Sequence, residues 1–318
     1  MALSVKVEEG FSYVEEGEGP ILLLLHGLFG ALSNWQHVID KFSTHYKVII
    51  PLLPIYDLPL LNANVEALAN HVHKFVVFKK LQQFTVLGNS LGGHVGLVYT
   101  LKHPTFVHSM MLTGSSGLYE EGMGGSYPKR ENYEYIKEKV AYTFYDPAFA
   151  TTELVDEVFE VVNNRSKVIR ILSMAKSAMR HNLRNEIPAI KIPVILIWGN
   201  QDNITPVAVA EEFNQLLPNS TLHFIDKCGH AAMMERPEEF NVLLSDFYDE
   251  GVCQSDFFTP HKEREGSKGL MTTIDKINRS GVGKITFAAQ GIEKSWSMKR
   301  DFQSPRYSTN WGELLVVR

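Results

Sequence analysis

Three residues of this 318-residue chain have the types that nucleophilic catalysis requires, in an order that would let them meet. Ser90 stands in Gly88-Asn-Ser-Leu-Gly-Gly93, Asp202 in Trp198-Gly-Asn-Gln-Asp202 and His230 in Cys228-Gly-His230. A serine hydroxyl is a poor nucleophile until a base takes its proton, and the base works only when a third group orients it. Serine, histidine and aspartate supply those three roles, and the chemistry they perform together is attack on an acyl carbon. The oxyanion so formed needs two fixed N–H donors. The backbone N–H of Leu91, one past the serine, and that of Leu28, after His26-Gly27, are the candidates. Gly27 lets that loop come close to the serine, and His26 is read as the structural residue that positions it.

These residues need particular elements beneath them. Phe84–Gly88 is apolar and reads as a buried strand, and Leu91 to about Lys102 has helical spacing, with Val95, Val98, Tyr99 and Leu101 on one face. Ser90 therefore sits where a strand turns sharply into a helix, with the helix N-terminus pointing at it. Gly88 and Gly92 flank the turn, where a side chain would collide with neighbouring backbone. Asn89 is read as a hydrogen-bonding residue of the turn. Asp202 follows the apolar run Ile192–Trp198, and His230 follows Thr221–Ile225. Each of the three thus lies just past the carboxyl end of a strand, the edge where open parallel sheets place their ligands. After the strand His108–Leu112, the other position open to an acid reads Thr113-Gly-Ser-Ser-Gly117 and holds no carboxylate.

Elsewhere, Val5–Val14, Ile21–Leu25 and Lys47–Pro51 read as strands, and Ser33–Phe42 and Asn62–Lys79 as helices. Strands alternating with helices imply an α/β fold with a mostly parallel sheet covered on both faces. From Tyr119 to about Ile190 the alternation stops. A Gly-rich stretch, Glu121–Ser126, precedes helical patterns at Tyr133–Ala141, Thr152–Val162 and Ser166–Arg180. The expected organisation is a core of residues 1–118 and 188–250, a helical cap over 119–187 and a C-terminal appendage with linker over 251–318.

Charge divides the chain in the same place. The net charge is −5, yet residues 251–318 carry 11 Lys and Arg against 7 Asp and Glu. The rest carries 20 against 29, which argues against nucleic-acid binding by the core and leaves the tail open. Cys228 and Cys253 have neither metal-ligand spacing nor a disulfide framework, so no metal and no cofactor is expected. No segment reads as a signal peptide or a membrane span, which predicts a cytoplasmic protein; a small-molecule substrate is the expected partner.

Over about residues 1–250 the chain resembles the α/β-hydrolase family. His26-Gly27, Gly88–Gly93, Trp198–Asp202 and Cys228-Gly-His230 with its trailing Glu235-Arg-Pro-Glu-Glu-Phe240 carry the resemblance. A serine nucleophile separates it from relatives that use aspartate there. It is similar to the capped carbon–carbon bond hydrolases of aromatic degradation, which share Gly-Asn-Ser-x-Gly-Gly and Lys-Cys-Gly-His. It differs from them in Leu28-Phe29-Gly30 after His-Gly and in Ala231 after the histidine. The resemblance implies a serine hydrolase, of carboxylic-ester type or, alternatively, of carbon–carbon type. Arg165, Arg170, Arg180 and Arg184 are candidates to hold an acidic substrate, and Met123, Tyr133, Tyr142, Phe144 and Phe149 to line a cap. About residues 262–318 resemble the C-terminal segment of UmuC-type Y-family DNA polymerases, through Ile274–Arg279, Phe287–Gly291, Trp296–Arg300 and Ser304–Trp311. Nothing upstream resembles a polymerase palm. A reading of another class follows, a hydrolase-fold interaction protein whose basic tail contacts DNA or a DNA-bound partner.

Overall fold

The computed structural model describes residues 3–30, 32–119 and 129–248. The chain divides into two units, Met1–Ser255 and Asp256–Arg318. The expected Gly-rich loop at 121–126, Met123, the linker and the expected helix and strands of the tail lie outside the described residues.

Eight strands of the first unit form one sheet, with apolar runs at its centre: β1 (Lys6–Glu8), β2 (Phe11–Glu16), β3 (Ile21–Leu25), β4 (Lys47–Pro51), β5 (Phe84–Asn89), β6 (Val107–Thr113), β7 (Val194–Gly199) and β8 (Ser220–Ile225). Their lateral order is β1-β2-β4-β3-β5-β6-β7-β8, with β1, β2 and β4 paired antiparallel and every other pair parallel. One strand was expected over Val5–Val14. The chain instead turns back through Glu9 (φ 47°) and Gly10 (φ 82°), so that Glu8 pairs with Phe11. Two successive positive φ values are what a two-residue hairpin turn requires.

The helices are α1 (Gln36–Phe42), α2 (Val65–Phe78), α3 (Leu91–Lys102), α4 (Tyr133–Ala141), α5 (Thr152–Asn163), α6 (Arg165–Arg180), α7 (Val207–Leu216), α8 (Ala232–Glu235) and α9 (Pro237–Phe247). Side-chain alternation along the strands feeds two cores. Leu23, Leu25, Val86, Met110 and Leu196 pack with α2, α3 and α7 on one face, while Leu22, Leu24, Leu87, Met111 and Ile195 pack with α1 and α9 on the other. Each such buried side chain stabilises the fold by about 1.5–3 kcal/mol. Capping residues set the helix starts: Asn64 accepts from Ala67 N–H at 2.9 Å, and Asn164 both ends α5 and accepts from Ser166 and Lys167 N–H at 3.0 and 3.1 Å. Among the described residues no helix is long and apolar enough to cross a membrane.

Two features position the site. The chain leaves β3 for β4 on one side, then crosses to β5 on the other, so the sheet has its switch point between the carboxyl ends of β3 and β5. Helices α4, α5 and α6 all fall between β6 and β7, on the carboxyl side of β6.

Candidate active site

At the end of β5 the backbone of Ser90 takes φ 53°, ψ −121°, a conformation that L residues adopt only when their surroundings hold them in it. Neighbouring backbone supplies that hold. Ser90 N–H donates to Thr113 O at 3.2 Å, and Ser90 O accepts from His94 N–H and Ser116 N–H, each at 3.2 Å. Asn89 Nδ2 donates to Thr113 O at 3.1 Å and to His230 O at 3.4 Å, tying the turn to the histidine loop. A Cβ on Gly92 would lie inside the Leu25 carbonyl, and one on Gly88 would reach 2.5 Å from Gly93 Cα. Glycine is thus required at both flanks for β3, β5 and α3 to meet.

From β3 comes the His26-Gly27-Leu28 loop. A Cβ on Gly27 would lie 3.3 Å from Ser90 Cβ, so the loop passes directly beside the serine. His26 fixes it. Leu53 N–H donates to His26 Nε2 at 2.9 Å, which needs a lone pair there, so Nδ1 carries the proton and donates to Gly27 O at 2.9 Å. Burial pushes the His26 imidazole below its usual pKa, with the Gly27 bond acting against that, in keeping with a neutral ring. Leu91 is the first residue of α3, where a helix has no internal partner for its N–H.

The β7 and β8 loops bring the other two residues together. Asn200 N–H donates to Ile225 O at 2.9 Å, Gln201 N–H to Cys228 O at 2.9 Å, and Cys228 N–H returns to Gln201 Oε1 at 3.0 Å. Trp198 Nε1 donates to Thr205 O at 2.8 Å and closes the turn. Within it Asp202 is buried, and its Oδ1 accepts from Ile204 N–H and Thr205 N–H at 2.8 and 2.9 Å. Oδ2 accepts from Thr205 Oγ1 at 2.9 Å, and His230 Nδ1 lies 2.9 Å from Oδ2 and 3.1 Å from Oδ1. With Nδ1–H donated to Asp202, the lone pair of a neutral His230 ring is on Nε2. Thr205, absent from the sequence reading, also lies 3.4 Å from His230 Nδ1 through its hydroxyl.

The stretch just after α4 touches both of these loops directly. His230 N–H donates to Thr143 O at 2.8 Å, and Asn203 Nδ2 to Tyr142 O at 3.4 Å. The arginines of the inserted segment are otherwise engaged or exposed: Arg170 donates through Nε to Leu58 O at 2.8 Å and through Nη1 to Ser166, Arg184 pairs with Glu212, and Arg165 and Arg180 are exposed. Tyr133 donates to Asp156 at 2.7 Å and packs on Phe159, while Phe144 packs on Phe149 with ring centroids 6.1 Å apart. These aromatic contacts lie within the inserted segment. His94, four residues past Ser90, is buried against His181 (Nε2 to Nδ1, 3.2 Å), and burial together with the His181 charge pushes its pKa down to about 3.

Known proteins share this architecture. A monoacylglycerol lipase, ABHD6, of Mus musculus is 26% identical over 258 residues, 73% of this chain and 76% of the lipase. The 2-hydroxy-6-oxo-6-(2'-aminophenyl)hexa-2,4-dienoic acid hydrolase of Metapseudomonas resinovorans is 28% identical over 256 residues, 73% of this chain and 86% of that enzyme. The crystal structure of MGS-MChE2, an α/β hydrolase enzyme from the metagenome of lagoon sediments of Mar Chica, Morocco, is 44% identical and covers 78% of this chain and 98% of its own, with a TM-score of 0.65. The C-terminal part is similar to something else. Residues 268–317 match a domain of unknown function, DUF4113, and Protein UmuC of Salmonella typhimurium (strain LT2) is 34% identical over 125 residues, 38% of this chain and 28% of UmuC. The sequence pattern of the α/β hydrolase fold matches residues 20–237, and the chain belongs to that family.

Proposed function

We propose that the chain is a serine hydrolase of small-molecule esters. Ser90 Oγ attacks the acyl carbon, His230 Nε2 takes its proton and returns it to the leaving group, and Asp202 holds the imidazole. The N–H groups of Leu28 and Leu91 receive the oxyanion, and water then releases the acyl group from Ser90. Helices α4–α6 act as a cap over residues 119–187 that limits the size of substrate admitted. The observation that carries this reading is the His230–Asp202 hydrogen bond at 2.9 Å, with the carboxylate already saturated by three further donors. An aspartate held so firmly cannot turn away from the ring.

The similarity to the Metapseudomonas hydrolase supports a second reading of the same residues, cleavage of a carbon–carbon bond next to a carbonyl. Turnover of a p-nitrophenyl ester series beside a vinylogous 1,5-diketone acid decides between them. The ester reading expects acetate-to-octanoate turnover at least about a hundredfold above that of the diketone, all of it lost in Ser90→Ala. The reverse preference would establish the second reading, and ester turnover surviving in Ser90→Ala would remove both.

A further inference from the structure

Outside the Ser90, His230 and Asp202 set, one buried carboxylate gathers three backbone donors from two distant stretches. Glu235, the last residue of α8, is 3% exposed. Its Oε1 accepts from Tyr145 N–H at 2.9 Å and from Asp146 N–H at 3.0 Å, and its Oε2 accepts from Gly229 N–H. Gly229 immediately precedes His230, whereas Tyr145 and Asp146 belong to the segment inserted between β6 and β7. The same stretches meet again where His230 N–H donates to Thr143 O at 2.8 Å. They are packed backbone to backbone: a Cβ on Gly229 would lie 2.6 Å from Thr143 O and 2.8 Å from Tyr145 N.

A buried carboxylate is costly unless its lone pairs are used. Here they are, by charge-assisted bonds to three backbone N–H groups. The nearby Cys228 thiol is pushed well above its usual pKa by burial, and the Glu235 charge adds to the shift.

We propose that Glu235 is a positioning residue for His230. It clamps the Gly229 peptide and the 145–146 peptides on one carboxylate, so the imidazole is held in register only while the inserted segment is seated. Seating of the cap and alignment of the base are then a single coupled event. This rests on His230 being the base, as proposed above.

The test compares Glu235→Gln and Glu235→Ala with the wild-type full chain, by ester kinetics and by amide hydrogen exchange. Glutamine keeps the volume and one acceptor oxygen but presents N–H to the other set of donors. We expect kcat to fall about tenfold in Glu235→Gln and further in Glu235→Ala, with KM changed less than about threefold. Exchange should rise together in peptides covering 143–146 and 228–231, and stay unchanged in α2. A lower melting temperature with kcat per folded molecule unchanged, a rise in KM alone, or faster exchange in one segment only would overturn the proposal. If wild type turns over no ester, the reading of the reaction fails while the paired exchange still decides whether the clamp exists.

Discussion

Asp202 carries more hydrogen bonds than any orienting role strictly needs, and that sets its expected mutational signature. Asp202→Asn puts an amide where four donors converge. The amide would offer N–H to His230 or to the turn, so the ring loses its tautomer. Ester kcat is expected to fall about ten-thousand-fold while the folded protein persists at lower stability, measured by steady-state kinetics beside thermal melting. A loss below tenfold would mean that Asp202 only caps its turn. That Ser90, Asp202 and His230 each follow a strand could be read from the sequence, because each comes just after an apolar run. Thr205 could not, since its hydroxyl bonds to Asp202 only once the turn after β7 has closed on itself through Trp198. Glu235 stands in the motif that trails His230, but two of its three partners are backbone N–H groups about ninety positions away, which no side-chain pattern reports.

At the scale of elements, strands and helices with strong periodicity were legible almost to the residue, as in β4, α3 and α4. The hairpin at Glu9-Gly10 was missed because one glycine in an alternating run is compatible with a continuous strand. So was α8, which at four residues is too short to show a period. The same edge of the sheet holds a charge cluster with a testable consequence. Glu15 on β2 faces Lys6, Lys47 and Lys79, with Lys79 Nζ at 2.8 Å. Burial alone would raise its pKa, but hydrogen bonds and charges from Lys47 and Lys79 outweigh that and hold it at about 2, below the ordinary 4.5. Its stabilising contribution is therefore present in full above pH 4.5 and is lost as pH falls toward 2. Glu15→Gln should lower unfolding stability by about 1 kcal/mol at pH 6, with the gap to wild type narrowing as the pH is taken below 4.5, in urea titrations. A gap independent of pH would show that packing, not charge, is what the substitution removes.

Across the whole molecule the chain joins two unlike parts, an α/β hydrolase fold over residues 20–237 and a segment over 268–317 similar to one found in UmuC. Composition alone marked the change, because the surplus of acid reverses to a surplus of base after residue 250. The first unit already contains every residue assigned a chemical role here, and the switch point between β3 and β5 places Leu28, Ser90 and Leu91 at one edge of the sheet. The central claim is that Ser90 is an activated nucleophile. Reaction of the full chain with a fluorophosphonate probe, followed by peptide mass spectrometry, tests it most directly. One adduct per chain on Ser90, and none in Ser90→Ala, is the predicted result. A folded wild type that stays unlabelled, or a Ser90→Ala protein labelled at the wild-type rate on another serine, would contradict it.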